Sequence, residues 1–164
     1  MVDEAAQKLR ELLGHMGIEA EVVATDEADH VLLEMRGEET ALIIGKKGAT
    51  LDSMQYILNK MLAHGSPESG LRKPVYLDAE GYRKRRAESL QELAHRLAAK
   101  AMTSRKPVAA EPMSPADRRV MHLALANVPG LTTRSEGEGA DRRLVVIPDP
   151  KFDFGAKGEP PATE

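Results

Sequence analysis

The segment Ile43-Ile44-Gly45-Lys46-Lys47-Gly48, followed by Ala49-Thr50-Leu51, sets two lysines between two glycines, where an apolar run gives way to an amphipathic stretch. The chemistry available to such a segment is anion capture. Glycines without Cβ atoms let a sugar-phosphate backbone approach the main chain, and the N-terminus of a following helix adds N–H groups and partial positive charge. The lysines contribute Coulomb attraction that carries no sequence information. By itself, G-x-x-G also describes an ordinary turn, so its surroundings must decide. Two further groups of cations bear on the same chemistry. Arg118, Arg119 and His122 lie together, with Arg118 and His122 four apart and hence on one face of a helix, a spacing that also fits a solvated surface. The run Arg83-Lys84-Arg85-Arg86 reads either as a phosphate track or as a solvating helix face.

Catalytic chemistry finds little support. G-x-x-x-x-G-K-[ST] is absent, so Gly45-Lys46-Lys47 is no P-loop. Glu136 and Glu138 flank turn glycines and read as a solvated hairpin. His15, His30, His64, His95 and His122 show neither metal-ligand spacing nor a nucleophilic partner. No enzyme activity and no cofactor are expected. The chain has no cysteine, which removes disulfides, thiol nucleophiles and cysteine-based zinc sites. Nothing in it reads as a signal peptide or membrane span, so a cytoplasmic location without membrane insertion is the expectation.

Aromatic residues make up 3% of the 164 residues, with no tryptophan, which argues against base-stacking platforms. Any grip on a single strand must use backbone and aliphatic contacts. The net charge of −3 hides an asymmetry. Residues 1–44 hold 3 basic and 11 acidic side chains, whereas residues 71–106 hold 10 basic and 4 acidic.

The elements that must position these groups follow from periodicity. Leu9, Leu12, Leu13 and Met16 mark a first helix that Gly17 ends. Ile18 to Thr25 and Val31 to Arg36 read as a hairpin across Asp26-Glu27-Ala28-Asp29. Glu39 to Ile44 makes a short helix into the glycine loop. Leu51, Met54, Leu58, Met61 and Leu62 form the buried face of the helix leaving it. After a turn at Gly65 to Gly70, Pro74 to Asp78 is a third strand, and the order becomes αββααβ. A long helix from Glu80 to Met102 follows, buried along Leu90, Leu93, Ala94, Leu97 and Ala101. Pro107 to Pro112 suggests a short strand. Ser114-Pro115-Ala116-Asp117 then supplies an N-cap, a first-turn proline and an acidic third position for a helix reaching Asn127, with Val120, Leu123 and Ala124 inward. Leu131 to Ser135 and Arg142 to Ile147 are strands, with Arg142 and Arg143 read as guards of an exposed edge. The chain is therefore α+β in two parts, residues 1–79 and 80–148, and its composition past Pro148 predicts a disordered tail over 149–164.

This αββααβ order, with G-x-x-G between paired helices, resembles a type II KH domain over residues 1–79. The Arg118…His122 helix, between a short strand and Leu131-Thr132-Thr133-Arg134-Ser135-Glu136-Gly137-Glu138-Gly139, is similar to the Arg-x-x-x-His domain of single-strand nucleic-acid-binding proteins. With Glu111-Pro112-Met113-Ser114-Pro115 entering that helix, residues 1–148 together resemble the bacterial Jag/KhpB family. The resemblance implies that Gly45, Lys46, Lys47 and Gly48 clamp about four nucleotides of single-stranded RNA, single-stranded DNA being possible, with bases along an aliphatic groove. It also implies a role in envelope growth, division or sporulation, and pairing with a small KH-only protein or with a second copy. Many family members carry a further domain ahead of the KH portion; functions tied to that domain are not carried over. The alternative is that the KH half is chiefly a protein-interaction or dimerisation module and RNA is secondary.

Overall fold

The computed structural model describes residues 2–64 and 73–155; the turn expected at Gly65 to Gly70 lies outside them. The chain divides into two compact units, Met1–Lys84 and Arg85–Glu164.

In the first unit α1 (Val2–His15) buries Ala5, Ala6, Leu9 and Leu13 along one stripe. Gly17, at φ 69°, ends it as expected: the Gly17 N–H donates to the Gly14 carbonyl and the Ile18 N–H to that of Leu13. These two bonds form a Schellman closure, and Ile18 packs beside Leu13. The helix therefore stops one residue short of Met16, which is 42% exposed instead of joining the stripe.

β1 (Glu21–Asp26) begins three residues later than the sequence suggests and runs antiparallel to β2 (Val31–Arg36), from Glu21 opposite Arg36 to Asp26 opposite Val31. β2 is central, and its alternating Val31, Leu33 and Met35 are fully buried. Parallel to it lies β3 (Val75–Ala79), with Val31 opposite Val75. A parallel partner demands a crossover connection. It is made by α2 (Thr40–Ile44), a 3₁₀ turn at Lys46–Gly48 and α3 (Ala49–His64). Leu51, Met54, Leu58 and Leu62 of α3 are buried as expected, but Met61 points outward.

The outer edge of β3 is closed by side chains that periodicity alone does not reveal. The Asn59 amide donates to the Val75 carbonyl at 2.7 Å and accepts from the Val75 N–H at 2.9 Å. One turn earlier, Gln55 Oε1 accepts from the Leu77 N–H at 2.9 Å. Two amides of α3 thus complete hydrogen bonds that a further strand would otherwise make.

In the second unit α4 (Tyr82–Ser104), whose first turn belongs to the first unit, buries Leu90, Ala94, Ala98 and Ala101. It starts at Tyr82 and not at Glu80, because Glu80 and Gly81 both take positive φ, 49° and 70°, and form the corner after β3. β4 (Val108–Ala109), α5 (Pro115–Leu125), β5 (Leu131–Glu136) and β6 (Arg143–Pro148) complete an antiparallel sheet of order β4-β6-β5. Arg143 therefore begins the central strand, not an edge, and Arg142 precedes it. The expected cap of α5 is present, Ser114 Oγ accepting from the Asp117 N–H at 3.1 Å. Its buried stripe is rotated from expectation: Asp117, Met121 and Leu125 face inward, while Leu123 is 57% exposed. The inward stripe follows Asp117, whose carboxylate pairs with Arg86 at 2.8 Å.

The tail expected from 149 onward is structured at its start. Asp149 N–H donates to the Gly130 carbonyl, Phe152 lies against Gly130, and Phe154 packs on the core of this unit. Arg105 donates to the Phe152 carbonyl at 2.7 Å and lies over the Phe154 ring. Two aromatic rings in an otherwise polar segment supply the apolar surface that average composition concealed. Residues 156–164 lie outside the described ones. Among the described residues no helix is long and apolar enough to cross a membrane.

Asn59→Leu is expected to destabilise the protein by about 1–3 kcal/mol, because both main-chain groups of Val75 lose their partner in a half-buried place. Urea unfolding checks this as a lower midpoint at unchanged slope; an unchanged midpoint would show that the Asn59 amide is dispensable to β3.

Candidate nucleic-acid interface

The glycine loop breaks the crossover into two helices. Ile43 is fully buried and fixes the end of α2, where the Gly45 N–H still donates to the Ala41 carbonyl at 3.0 Å. Gly45 then adopts φ 68°, ψ −169°, a region reserved in practice for glycine. A Cβ there would collide with Thr50 Oγ1 and come to 2.8 Å from Thr50 Cβ. Lys47 is left-handed at φ 56°, ψ 28°, and Gly48 sits at φ 85°. The segment is thus neither continuous helix nor extended chain. It is a tight turn with positive φ at 45, 47 and 48, from which α3 starts at Ala49.

This turn has two sides. Lys46 and Lys47 are exposed, so the charged side faces solvent. Gly48 is buried, and a Cβ on it would meet the Tyr82 ring at 2.9 Å. The expectation that both glycines bare main chain to a ligand therefore needs correction. Gly48 lacks a side chain because an aromatic ring of the protein occupies that space.

The basic run divides in the same manner. Arg83 Nε donates to the Leu77 carbonyl at 2.7 Å, Nη2 to Gln55 Oε1 at 3.0 Å, and Nη1 pairs with Asp52 at 3.0 Å. Arg86 pairs with Asp117, whose exposure is only 8%. Positions 83 and 86 lie one helical turn apart and are half-buried, each paired within its own unit; Lys84 and Arg85 are exposed. Of the four cations expected as a phosphate track, Arg83, Lys84, Arg85 and Arg86, two are thus paired with carboxylates of the protein.

On α5, Arg118 is half-buried and donates through Nη1 to the Met113 carbonyl at 2.7 Å. His122 is exposed, and its Nδ1 is hydrogen-bonded to Thr133 Oγ1 on β5, which leaves Nε2 as the ring nitrogen directed away from that bond. Arg119 is exposed beside them. The arrangement offers a planar guanidinium, an imidazole of set orientation and a second cation on one exposed part of α5, groups suited to phosphate oxygens. Sequence reasoning missed Thr133 as the orienting hydroxyl and Tyr82 as the partner of Gly48. Thr133 carried no spacing signal, and a tyrosine at a helix start has many uses.

Gly45→Ala is expected to cost about 1–3 kcal/mol, from the φ it would impose and the collision with Thr50. Adding Thr50→Ala removes the clash with Oγ1 and should recover part of that loss. Denaturant melts of the single and double variants check both statements; a Gly45→Ala protein as stable as the parent would remove the strain argument.

The geometry has counterparts among known proteins. The family model for the KhpA/KhpB KH domain matches residues 3–70, and the model for the domain named after its Arg-x-x-x-His motif matches residues 88–148. The RNA-binding protein KhpB of Clostridium symbiosum is 34% identical over 146 residues, which is 88% of this chain and 64% of that protein. Its namesake in Bacillus subtilis is 31% identical over 147 residues, covering 88% of this chain and 69% of the relative. A third, from Lactiplantibacillus plantarum, is 30% identical over 131 residues, 80% of this chain but 40% of the relative. The chain thus spans about two thirds of the first two relatives and less of the third. With the glycine turn of a KH domain followed by the Arg118…His122 helix of an Arg-x-x-x-His domain, the chain belongs to the KhpB (Jag) family.

Proposed function

We propose that this chain binds single-stranded RNA with little sequence preference, by the turn at Gly45, Lys46, Lys47 and Gly48 and by the α5 surface at Arg118, Arg119 and His122. The observation that carries the reading is the solvent-facing side of the glycine turn. Two exposed lysines flank a main chain held in a left-handed bend at the start of a 16-residue helix. Such a bend suits the sugar-phosphate chain of an unpaired strand. The relatives named RNA-binding proteins support RNA over DNA as the ligand. Since phosphate contacts dominate, affinity falls with salt. No catalytic step belongs to this function. A role in envelope growth, division or sporulation, and a cytoplasmic location, rest on the family resemblance.

Lys46→Asp combined with Lys47→Asp is expected to weaken binding of a short single-stranded RNA at least roughly tenfold and to flatten the slope of log K against log salt by about 1.4, at about 0.7 per phosphate contact. Fluorescence anisotropy across a salt series reads both quantities. Unchanged affinity would remove the clamp from the function.

A second reading has its own observation. Tyr56, Ile57 and Met61 are 65%, 45% and 39% exposed, with Ile57 and Met61 four apart on α3, so the KH unit presents apolar surface on the crossover helix. This supports pairing of the KH unit with a second KH unit, in another copy or in a small KH-only protein. Under this reading light scattering finds a dimer of the free chain that Ile57→Glu dissociates. A parent monomeric at every concentration tested, with or without RNA, would exclude self-pairing.

A further inference from the structure

We propose that Tyr82 and Arg83 are positioning residues for the glycine turn, holding Gly45 to Gly48 in its bend from the protein side without contacting nucleotide. The inference rests on the RNA-binding reading and deepens it. Arg83 comes from the basic run, and its guanidinium is bonded to Leu77, Gln55 and Asp52.

The corner after β3 is built to deliver these two residues. Glu80 and Gly81 turn the chain through two positive φ values, and the Glu80 N–H donates to the Met35 carbonyl of β2 at 3.2 Å. Asp78 Oδ1 accepts from the Arg83 N–H at 3.1 Å and from the Ala79 N–H at 2.9 Å, fixing the first turn of α4. Tyr82 is thereby set with Cε1 and the phenol oxygen 2.9 and 3.1 Å from where a Gly48 Cβ would be. Arg83 lays its guanidinium between β3 and the first turns of α3, bonded to the Leu77 carbonyl, Gln55 and Asp52. Asp52 and Gln55 lie four and seven residues beyond Gly48, on the helix that begins at the turn. The ring supports the turn, and the guanidinium ties the start of α3 to the sheet.

The energetic argument is one of populations. Lys47 occupies a left-handed conformation that a non-glycine residue in a free loop would leave for others, and Gly48 has many others open to it. A ligand that binds one conformation has its apparent Kd raised by the reciprocal of that conformation's population. A packed ring and a three-point guanidinium keep the population high before RNA arrives.

The test uses the full chain and a fluorescein-labelled single-stranded RNA of randomised sequence, read by anisotropy over a salt series. Tyr82→Leu keeps apolar volume but not the planar ring, and should raise Kd roughly fivefold, as expected when the bent conformation falls to about a fifth of the population. Tyr82→Phe should stay within roughly twofold of the parent by the same relation. Arg83→Lys keeps the charge but cannot make three contacts in a fork; it should also raise Kd roughly fivefold with the salt slope unchanged. Without RNA, amide exchange at Gly48 and Ala49, whose N–H groups donate to the Gly45 and Lys46 carbonyls, should quicken in Tyr82→Leu while Leu33 and Met35 in β2 exchange as before.

Binding in Tyr82→Leu equal to the parent, with Lys46→Asp/Lys47→Asp inactive, overturns this proposal and leaves the RNA reading standing. A fall of about 0.7 in the Arg83→Lys slope also overturns it, by making Arg83 a phosphate contact. Exchange that quickens equally in β2 overturns it in favour of general destabilisation. A parent chain that binds no RNA overturns both readings together. Where Tyr82→Leu fails to fold, Arg83→Lys with its slope decides.

Discussion

The parallel pairing of β2 with β3 is the constraint from which the first unit follows. Two parallel strands cannot be joined by a tight turn, so the chain must leave Arg36, cross the sheet and re-enter at Val75 in the same direction. One helix laid across the sheet would do this. Here the crossover is broken in two, and the break must be made by residues free to take positive φ. The glycine turn is where that break is made, with positive φ at Gly45, Lys47 and Gly48. Lys46 and Lys47 lie on its exposed side; on its inner side the Tyr82 ring occupies the space a Gly48 side chain would need.

Completion of the β3 edge shows the same economy of parts. β3 is hydrogen-bonded on one side to β2 and on the other to side chains of α3, the helix that delivers the chain to it. Gln55, besides binding the Leu77 N–H, accepts from Arg83, so strand, crossover helix and the start of α4 share one polar network. Buried polar groups of this kind are costly to leave unpaired, which ties the position of α3 to the register of β3. In the second unit the Arg86 and Asp117 pair has a comparable role, setting the rotation of α5 and with it the side from which Arg118, Arg119 and His122 face solvent.

Legibility in the sequence followed the range of the physics involved. The order of elements could be read because helix and strand periodicities, the Gly17 closure and the Ser114 cap act within a few residues. The glycine turn was visible for the same reason, since two glycines and two lysines in four positions are a local statement. Misreadings arose where a residue's fate depended on a distant partner. Leu123 resembles a core leucine until Asp117 is drawn to Arg86, Met61 resembles a core methionine until α3 is rotated by its bonds to β3, and residues 149–155 look polar until Phe152 finds Gly130.

The basic run draws the line between the two levels most plainly. Four consecutive cations are a property of the chain, and their summed attraction for a polyanion follows from composition alone. Where each of them sits is a tertiary outcome: Arg83 and Arg86 meet the carboxylates of Asp52 and Asp117, 31 positions away in each case, while Lys84 and Arg85 are exposed. Helical periodicity can say that 83 and 86 share a face, but a carboxylate on a distant segment is needed to turn that face inward, and only folding brings the two together. By itself the sequence determined the elements and the chemistry available; the tertiary structure decided which of those groups are paired within the fold, because desolvation and pairing depend on neighbours that chain order does not supply.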